Sequence, residues 1–330
     1  MQFENKCCEA CQSSLVVLKT IRLNLKYWIC EACGHCQIQS IDSFYKDFEN
    51  AQRAYFSYES SLLQPVFSPS DKEILAQRQL TANRYLVPDS TVLEVGPGSG
   101  IFATWLNKNG YSLRLVEHSV VLARDLENRT GLAIDVGEFE KMDIPAESVD
   151  AFCSFHVIEH VAEPLLHLRT GFRASRPGGI GLIATPNAMS WQQRMLPRLS
   201  PNFDAAHLRV FSISSLCGFC KEAGWEIVQV RTPEYTSSWL RLLSKTLRRL
   251  KGEDEVATAG KYAAVTSMRL KIFYMAFCVI TAPLRLLQTL SNGGNEILVI
   301  LRKPDAPGSL LVESDDLSIN EDFGSRKSCS

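Results

Sequence analysis

Several things are missing from this chain of 330 residues, and each absence narrows what it can be. No apolar run reaches the roughly 18–20 residues of a spanning helix; the longest charge-free one, Ile272 to Leu284, has 13 residues and is bounded by Lys271 and Arg285. The N-terminal "MQFENKCCEACQ" lacks an apolar core and a cleavage site, which argues against an exported, disulfide-rich protein and for a cytoplasmic one. A large net charge is also missing: the formal value is −1, so composition points to neither nucleic acid nor an acidic partner. There is no Gly-Lys-Ser/Thr phosphate loop, no internal repeat, and no Asn-Pro-Pro-Tyr-like motif of the kind that would favour a nucleic-acid base as substrate.

What is present is a globular composition, 45% hydrophobic and 22% charged, with eleven cysteines. Six of these lie in residues 1–40, and clustered cysteines in a reducing compartment more often bind metal than each other. Residues 41–90 read as a linker and a helix, capped by Ser70 or Asp71 and stopped at Pro88-Asp89. From 91 to 235 short apolar runs ("TVLEV", "SLRLVE", "VDAFCSF", "GIGLIAT", "EIVQV") alternate with helical stretches. Those intervals are too long for hairpins and suit βαβ crossovers, so an α/β fold with a mainly parallel sheet is expected. A basic helical insert over 236–291 follows, then a last strand, "NEILVILRK", within 292–304. The polar tail 305–330 is expected to be disordered.

"VLEVGPGSG", Val92 to Gly100, places three glycines after a buried strand and before a helix. The pattern is E-x-G-x-G-x-G; Ile101 stands where a dinucleotide fingerprint needs its third glycine. The next strand ends in Glu117, an acid placed to accept from both hydroxyls of a ribose.

These residues resemble the first two motifs of the class I S-adenosylmethionine-dependent methyltransferases. "VDAFCSFHVIEHVAEP" is similar to that family's fourth-strand signature, and "RPGG", "TPN" and "HLRVFSISSLCGFCKEAGW" resemble later elements of a subset acting on sugars, quinones and related metabolites. The resemblance implies a Rossmann-like, seven-stranded, mostly parallel sheet flanked by helices, and S-adenosyl-L-methionine as cofactor. It implies Gly96, Gly98 and Gly100 against the methionine and ribose, where a Cβ would clash, Glu94 toward the amino-acid end and Glu117 on the ribose. His118, Glu138, Phe139 and Phe155 are then expected to line the adenosine side. The acceptor is expected to be an oxygen or carbon of a small molecule or glycan, lipid-linked in one version. A ubiquinone-type O-methyltransferase and a non-catalytic protein that keeps the cofactor pocket are the rival readings.

Methyl transfer to oxygen or carbon usually needs a base, and histidine suits neutral pH. His160 is the first candidate, with His156 nearer the cofactor and His207 on a stretch able to cover the site. His167 reads as a helix-surface residue.

Cys8-x2-Cys11 and Cys30-x2-Cys33 have the spacing of two knuckles that close a tetrahedron around structural Zn²⁺, a small N-terminal zinc ribbon. Cys7 and Cys36 leave the register open, and His35 is a spare ligand. "CGFC", Cys217 to Cys220, reads as a buried helix face instead of a redox pair, since Leu216, Phe219 and Ala223 recur at helical spacing. In the insert, Leu240, Leu243, Leu247 and Leu250 form a stripe beside Arg241, Lys245, Arg248 and Arg249, followed by a short apolar hairpin around Phe273 to Pro283. That insert suits either a lid over the site or peripheral contact with an anionic membrane.

Overall fold

The computed structural model describes residues 7–14, 16–22, 25–39, 69–197, 200, 202–203, 207–250 and 268–305. The expected disorder of the tail and most of the 41–90 linker fall outside those residues.

A first helix, α1 (Pro69–Tyr85), leads into the main sheet. Its central strands, β4 (Thr91–Val95), β7 (Val149–Phe155) and β8 (Ser175–Pro186), are covered on both faces, which is why they read as near-continuous apolar runs. β5 (Ser112–Glu117) and β6 (Ile134–Val136) extend the sheet one way, and β11 (Glu296–Arg302) and β10 (Glu226–Arg231) the other. The seven strands run in the order β10-β11-β8-β7-β4-β5-β6. Pairings from β6 through β8 are parallel, and only β11 and β10 join antiparallel. The order reverses at β4 and β7, so ligands are expected at the carboxyl ends of these two strands.

Alternation along the strands sends Leu93, Phe152, Ile183 and Leu301 to one face and Val92, Ala151, Leu182 and Ile300 to the other. On the first face lie α4 (Pro164–Ala174) and, after the short α5 (Trp191–Met195), α6 (Ile213–Glu222), with Leu168, Leu216 and Phe219 packed inward. On the second, α2 (Ile101–Lys108) contributes Phe102 and Leu106. Beside them, α3 (Val120–Thr130) packs Ala123 and Leu126 against Leu115. Cys220 and Leu216 are fully buried in α6, as the helical spacing of "CGFC" predicts.

Three N-terminal strands, β1 (Val16–Arg22), β2 (Leu25–Cys30) and β3 (Cys36–Ile38), form an antiparallel meander. A two-residue strand from the far side of the chain, β9 (Arg209–Val210), adds to its edge by pairing with β3.

The structure departs from the sequence reading in four places. β6 carries one buried residue and gives no periodic signal. "EIVQV" is an antiparallel edge strand. His167 is fully buried, bonded to Ser154 Oγ (2.9 Å) and Glu140 Oε1 (2.6 Å), so it is a core residue of α4 and not a surface one. The insert holds no apolar hairpin: after α7 (Thr236–Leu250), residues Met268–Leu290 form one helix, α8, whose 19-residue stretch Ile272–Leu290 is long and apolar enough to cross a bilayer by length and composition. Arg285 hides this in the sequence by interrupting the run.

α4 approaches β7 closely at Gly171, where a Cβ would run into the Phe152 ring. Gly171→Ala is therefore expected to lower stability by about 1–3 kcal/mol through overpacking, outweighing alanine's better helix propensity. Urea unfolding midpoints of the two proteins would show it.

Candidate functional site

The turn between β4 and α2 stands at the switch point. Gly96 (φ +67°), Gly98 (φ +53°) and Gly100 (φ +72°) all occupy the left-handed region, which L side chains rarely adopt. A Cβ on Gly96 would lie 2.5 Å from Val157 Cγ2, and one on Gly100 would collide with Leu126. Packing within the protein thus already demands glycine at both positions, whatever the turn holds.

Glu117, at the end of β5, is buried and braces this turn: Oε2 accepts from Gly98 N–H (3.3 Å) and Oε1 from Ser119 N–H (3.0 Å). Glu94 lies beneath, its Oε2 buried without a hydrogen-bond partner among the described residues. Burial pushes its carboxyl up to about 8, against the lowering influence of Arg78 and with that of Glu117. Beside them, His118 and Glu138 are exposed, Glu138 paired with Lys141 (2.5 Å). Phe139 is buried, stacked on Phe152 and edge-on to His167, so its ring belongs to the core and not to an adenosine-lining surface. Phe155 is half-buried, edge-on to Phe102 and under the Arg78 guanidinium at 4.2 Å.

The three candidate histidines divide. His156, at φ +57°, is drawn into a network that the sequence did not suggest. Its Nε2 meets Glu296 Oε2 at 2.7 Å and its Nδ1 stands 3.3 Å from Glu159 Oε1. Arg78 forks onto Glu296 with Nη1 and Nη2 at 3.0 and 2.7 Å, and Tyr235 Oη donates to Oε1 at 2.9 Å. The His156 side chain keeps 43% of its surface open, and although its crowded surroundings work against charge, the bonds to Glu159 and Glu296 outweigh this and raise the group to about 9. Both acids fall to about 2: against burial, His156 lowers Glu159, and Arg78 together with His156 lowers Glu296. At neutral pH His156 is accordingly cationic and no base.

His160 and His207 come together, ring centroids 4.8 Å apart. Each offers a nitrogen, and Glu159 an oxygen, all within 4.8 Å of one another, near enough to share a proton or a divalent cation. His207 Nδ1 faces Asn202 O at 2.8 Å and must donate to it, leaving Nε2 with the lone pair when the ring is neutral.

Cys8, Cys11, Cys30 and Cys33 converge with their sulfurs all within 4.8 Å; Cys8–Cys33 and Cys11–Cys30 are both 3.6 Å apart. A tetrahedron with Zn–S bonds of about 2.3 Å has edges of about 3.8 Å. Cys36 turns away to Gly34 O, and His35 Nε2 bonds Glu9 Oε1 at 2.8 Å, so neither joins the cluster. Glu9 also receives Arg209, Nε and Nη2 at 2.5 and 3.0 Å. The same guanidinium donates to Val161 O (2.8 Å) and Ala162 O (3.0 Å), just beyond His160. Tyr27 Oη donates to His207 O at 2.8 Å. The cysteine cluster and the histidine pair are thereby physically joined.

Residues 71–230, just under half of the chain, match the family described as "Methyltransferase domain". A probable S-adenosylmethionine-dependent methyltransferase of Mycolicibacterium smegmatis is 31% identical over 91 residues, 28% of this chain and 34% of the relative. A ubiquinone biosynthesis O-methyltransferase of Paramagnetospirillum magneticum is 32% identical over 108 residues, 31% of this chain and 43% of the relative. The chain thus spans well under half the length of these curated relatives. Among solved structures, a SAM-dependent methyltransferase from Archaeoglobus fulgidus aligns over 70% of this chain and 94% of its own with 15% identity and a TM-score of 0.47. The region 71–230 is thus similar to that methyltransferase family, and the strand order and directions of its sheet are those of a Rossmann-like α/β fold.

The ion network predicts a definite pH window. His156 is raised from 6.5 to about 9, so its contribution is complete below pH 6.5 and is lost as pH rises through 9. Glu94, raised from 4.5 to about 8, loses stability in the same direction through pH 8. Glu159 and Glu296, lowered from 4.5 to about 2, contribute above pH 4.5 and lose it as pH falls toward 2. Thermal unfolding midpoints should therefore decline between pH 6.5 and 9, and His156→Gln should make that decline shallower.

Proposed function

We propose that the protein transfers a methyl group from S-adenosyl-L-methionine to an oxygen or carbon of a small-molecule or glycan acceptor. The observation that carries this reading is the β4–α2 turn: three left-handed glycines, a bracing carboxylate on Glu117 and an unpartnered buried oxygen on Glu94. These features fit the cofactor, for a carboxyl near 8 can donate or accept at an amino-acid end, and Glu117 keeps lone pairs for ribose hydroxyls. The N–H groups at the start of α2 offer donors to a carboxylate. When bound, the sulfonium supplies an electrophilic methyl carbon.

His207 is the better-placed base of the candidate pair, because Asn202 O fixes its tautomer with Nε2 free to accept a proton. His160 stands against it and orients the acceptor. An oxygen as acceptor draws support from the ubiquinone biosynthesis O-methyltransferase relatives. The four thiols hold structural Zn²⁺ in this reading, and reduced thiolates accord with a cytoplasmic location.

Calorimetry should detect binding of both the methyl donor and its demethylated product, with Glu117→Ala weakening each by roughly tenfold to a hundredfold, the loss of one or two charge-assisted hydrogen bonds. Labelled donor incubated with cell extract should yield a labelled product, and His207→Ala should reduce its rate by about 10²–10⁴-fold while sparing donor affinity. Binding without any product would support the non-catalytic reading; absence of binding by folded protein would overturn both.

Thiol-specific oxidation should release one equivalent of zinc from the purified protein, and Cys11→Ser should abolish it. A metal content of zero in protein purified without chelator would exclude the assignment.

A further inference from the structure

α8 is built inside out. Its buried positions carry polar groups: Tyr274 Oη donates to Glu73 Oε2 (2.8 Å), Arg285 Nη1 to Glu73 Oε1 (2.8 Å), and Gln288 Oε1 accepts from Trp239 Nε1 (3.0 Å). These residues follow one another at helical spacing along the stripe that meets α1 and α7. The remaining circumference is apolar and bare: Ile272, Phe273, Met275, Val279, Ile280, Leu286, Leu287 and Leu290 are all exposed, Val279 and Ile280 by about three-quarters (73% and 76%). α7 adds Leu243 and Leu247, both exposed, instead of burying them as a lid would.

A surface of this kind exceeds what soluble proteins leave to water, where single exposed apolar residues are the rule. Charge says what covers it. The two helices hold seven Lys or Arg (241, 245, 248, 249, 269, 271, 285) and no Asp or Glu. Apolar side chains on two helices whose sequence is basic and free of acids match the acyl and anionic headgroup zones of a bilayer, whereas a second copy of the same surface would set two basic helix pairs against each other.

We propose that α8, with the outer edge of α7, docks this protein monotopically on an anionic membrane. The helix is about 34 Å long at 1.5 Å per residue, sufficient to span. Yet Glu73 on α1 ties it to the body through both Tyr274 and Arg285, three turns apart, and Glu73 also accepts from Thr236 at the start of α7. Crossing the bilayer would break those bonds, so the helix lies in the interface plane. α7 begins one residue after Tyr235, whose hydroxyl sits on Glu296, so docking brings the site network close to the lipid surface.

The full chain should float with vesicles of phosphatidylcholine and phosphatidylglycerol in equal parts, less with phosphatidylcholine alone, and less as salt rises. The double variant Val279→Glu, Ile280→Glu should partition roughly tenfold more weakly or worse while keeping its helical circular dichroism. In Ile280→Trp, fluorescence should be quenched most by lipids brominated near the headgroup end of the acyl chain. Failure to float would overturn the proposal, as would strongest quenching by bromine at the bilayer centre, which marks a spanning helix. So would emission unchanged by vesicles but dependent on protein concentration, which marks a second copy on this face. None of these readings depends on methyl transfer.

Discussion

The carboxylate of Glu296 joins what would otherwise be separate regions. Arg78 reaches it from α1, His156 from the end of β7, and Tyr235 from the segment before α7. Arg78 and Glu296 are buried, so each charge depends on its partners: an ion removed from water costs several kcal/mol unless it is paired and hydrogen-bonded. Such a network stabilises little relative to an apolar core, but leaving one member unpaired is costly. Its contribution is to define geometry, because only one arrangement of helix, strand end and insert satisfies all the donors.

Glu159 has a comparable role just beyond His156. Its backbone oxygen accepts from Leu208 N–H and, more weakly, from Arg209 N–H, while Thr185 Oγ1 donates to its side chain. The segment that carries His207 is thus held from both sides, by Glu159 in the turn after β7 and by Glu9 in the first cysteine turn and Tyr27 on β2. The cysteine cluster is therefore connected to the histidine pair by two short links, Arg209 to Glu9 and Tyr27 to the His207 carbonyl. Because Ser212 both caps α6 and donates to Cys33 O, loss of the knuckle would also loosen a core helix.

Much of this architecture is legible in the sequence. β4, β5 and β7 are local statements: dense apolar runs bounded by turn residues, with the glycine turn following directly. The four-thiol register is half legible, since spacing permits Cys36 and only three-dimensional direction removes it. His160 and His207 both stand out as candidate bases, but their meeting depends on a fold-back that periodicity does not encode. What stays hidden is non-local and charged. Arg78 and Glu296 are 218 residues apart, and an acid opening an apolar strand looks like a surface residue until its partner is seen. His167 misleads for a related reason, since a histidine among charged and apolar neighbours on a helix gives no sign of Glu140 and Ser154 waiting inside. α8 deceives differently: one inward-turned arginine breaks an apolar tract that the folded chain keeps whole.

The pairing of β3 with β9 has a consequence for how the chain is made. Residues 36 and 37 emerge from the ribosome long before residues 209 and 210, at the ordinary elongation rate of roughly 5–20 residues per second. For that interval the cysteine knuckles are complete in sequence while one sheet edge is still unpaired. The last strand of that small sheet, and with it the clasp on His207, can close only after most of the sheet-forming core has been translated.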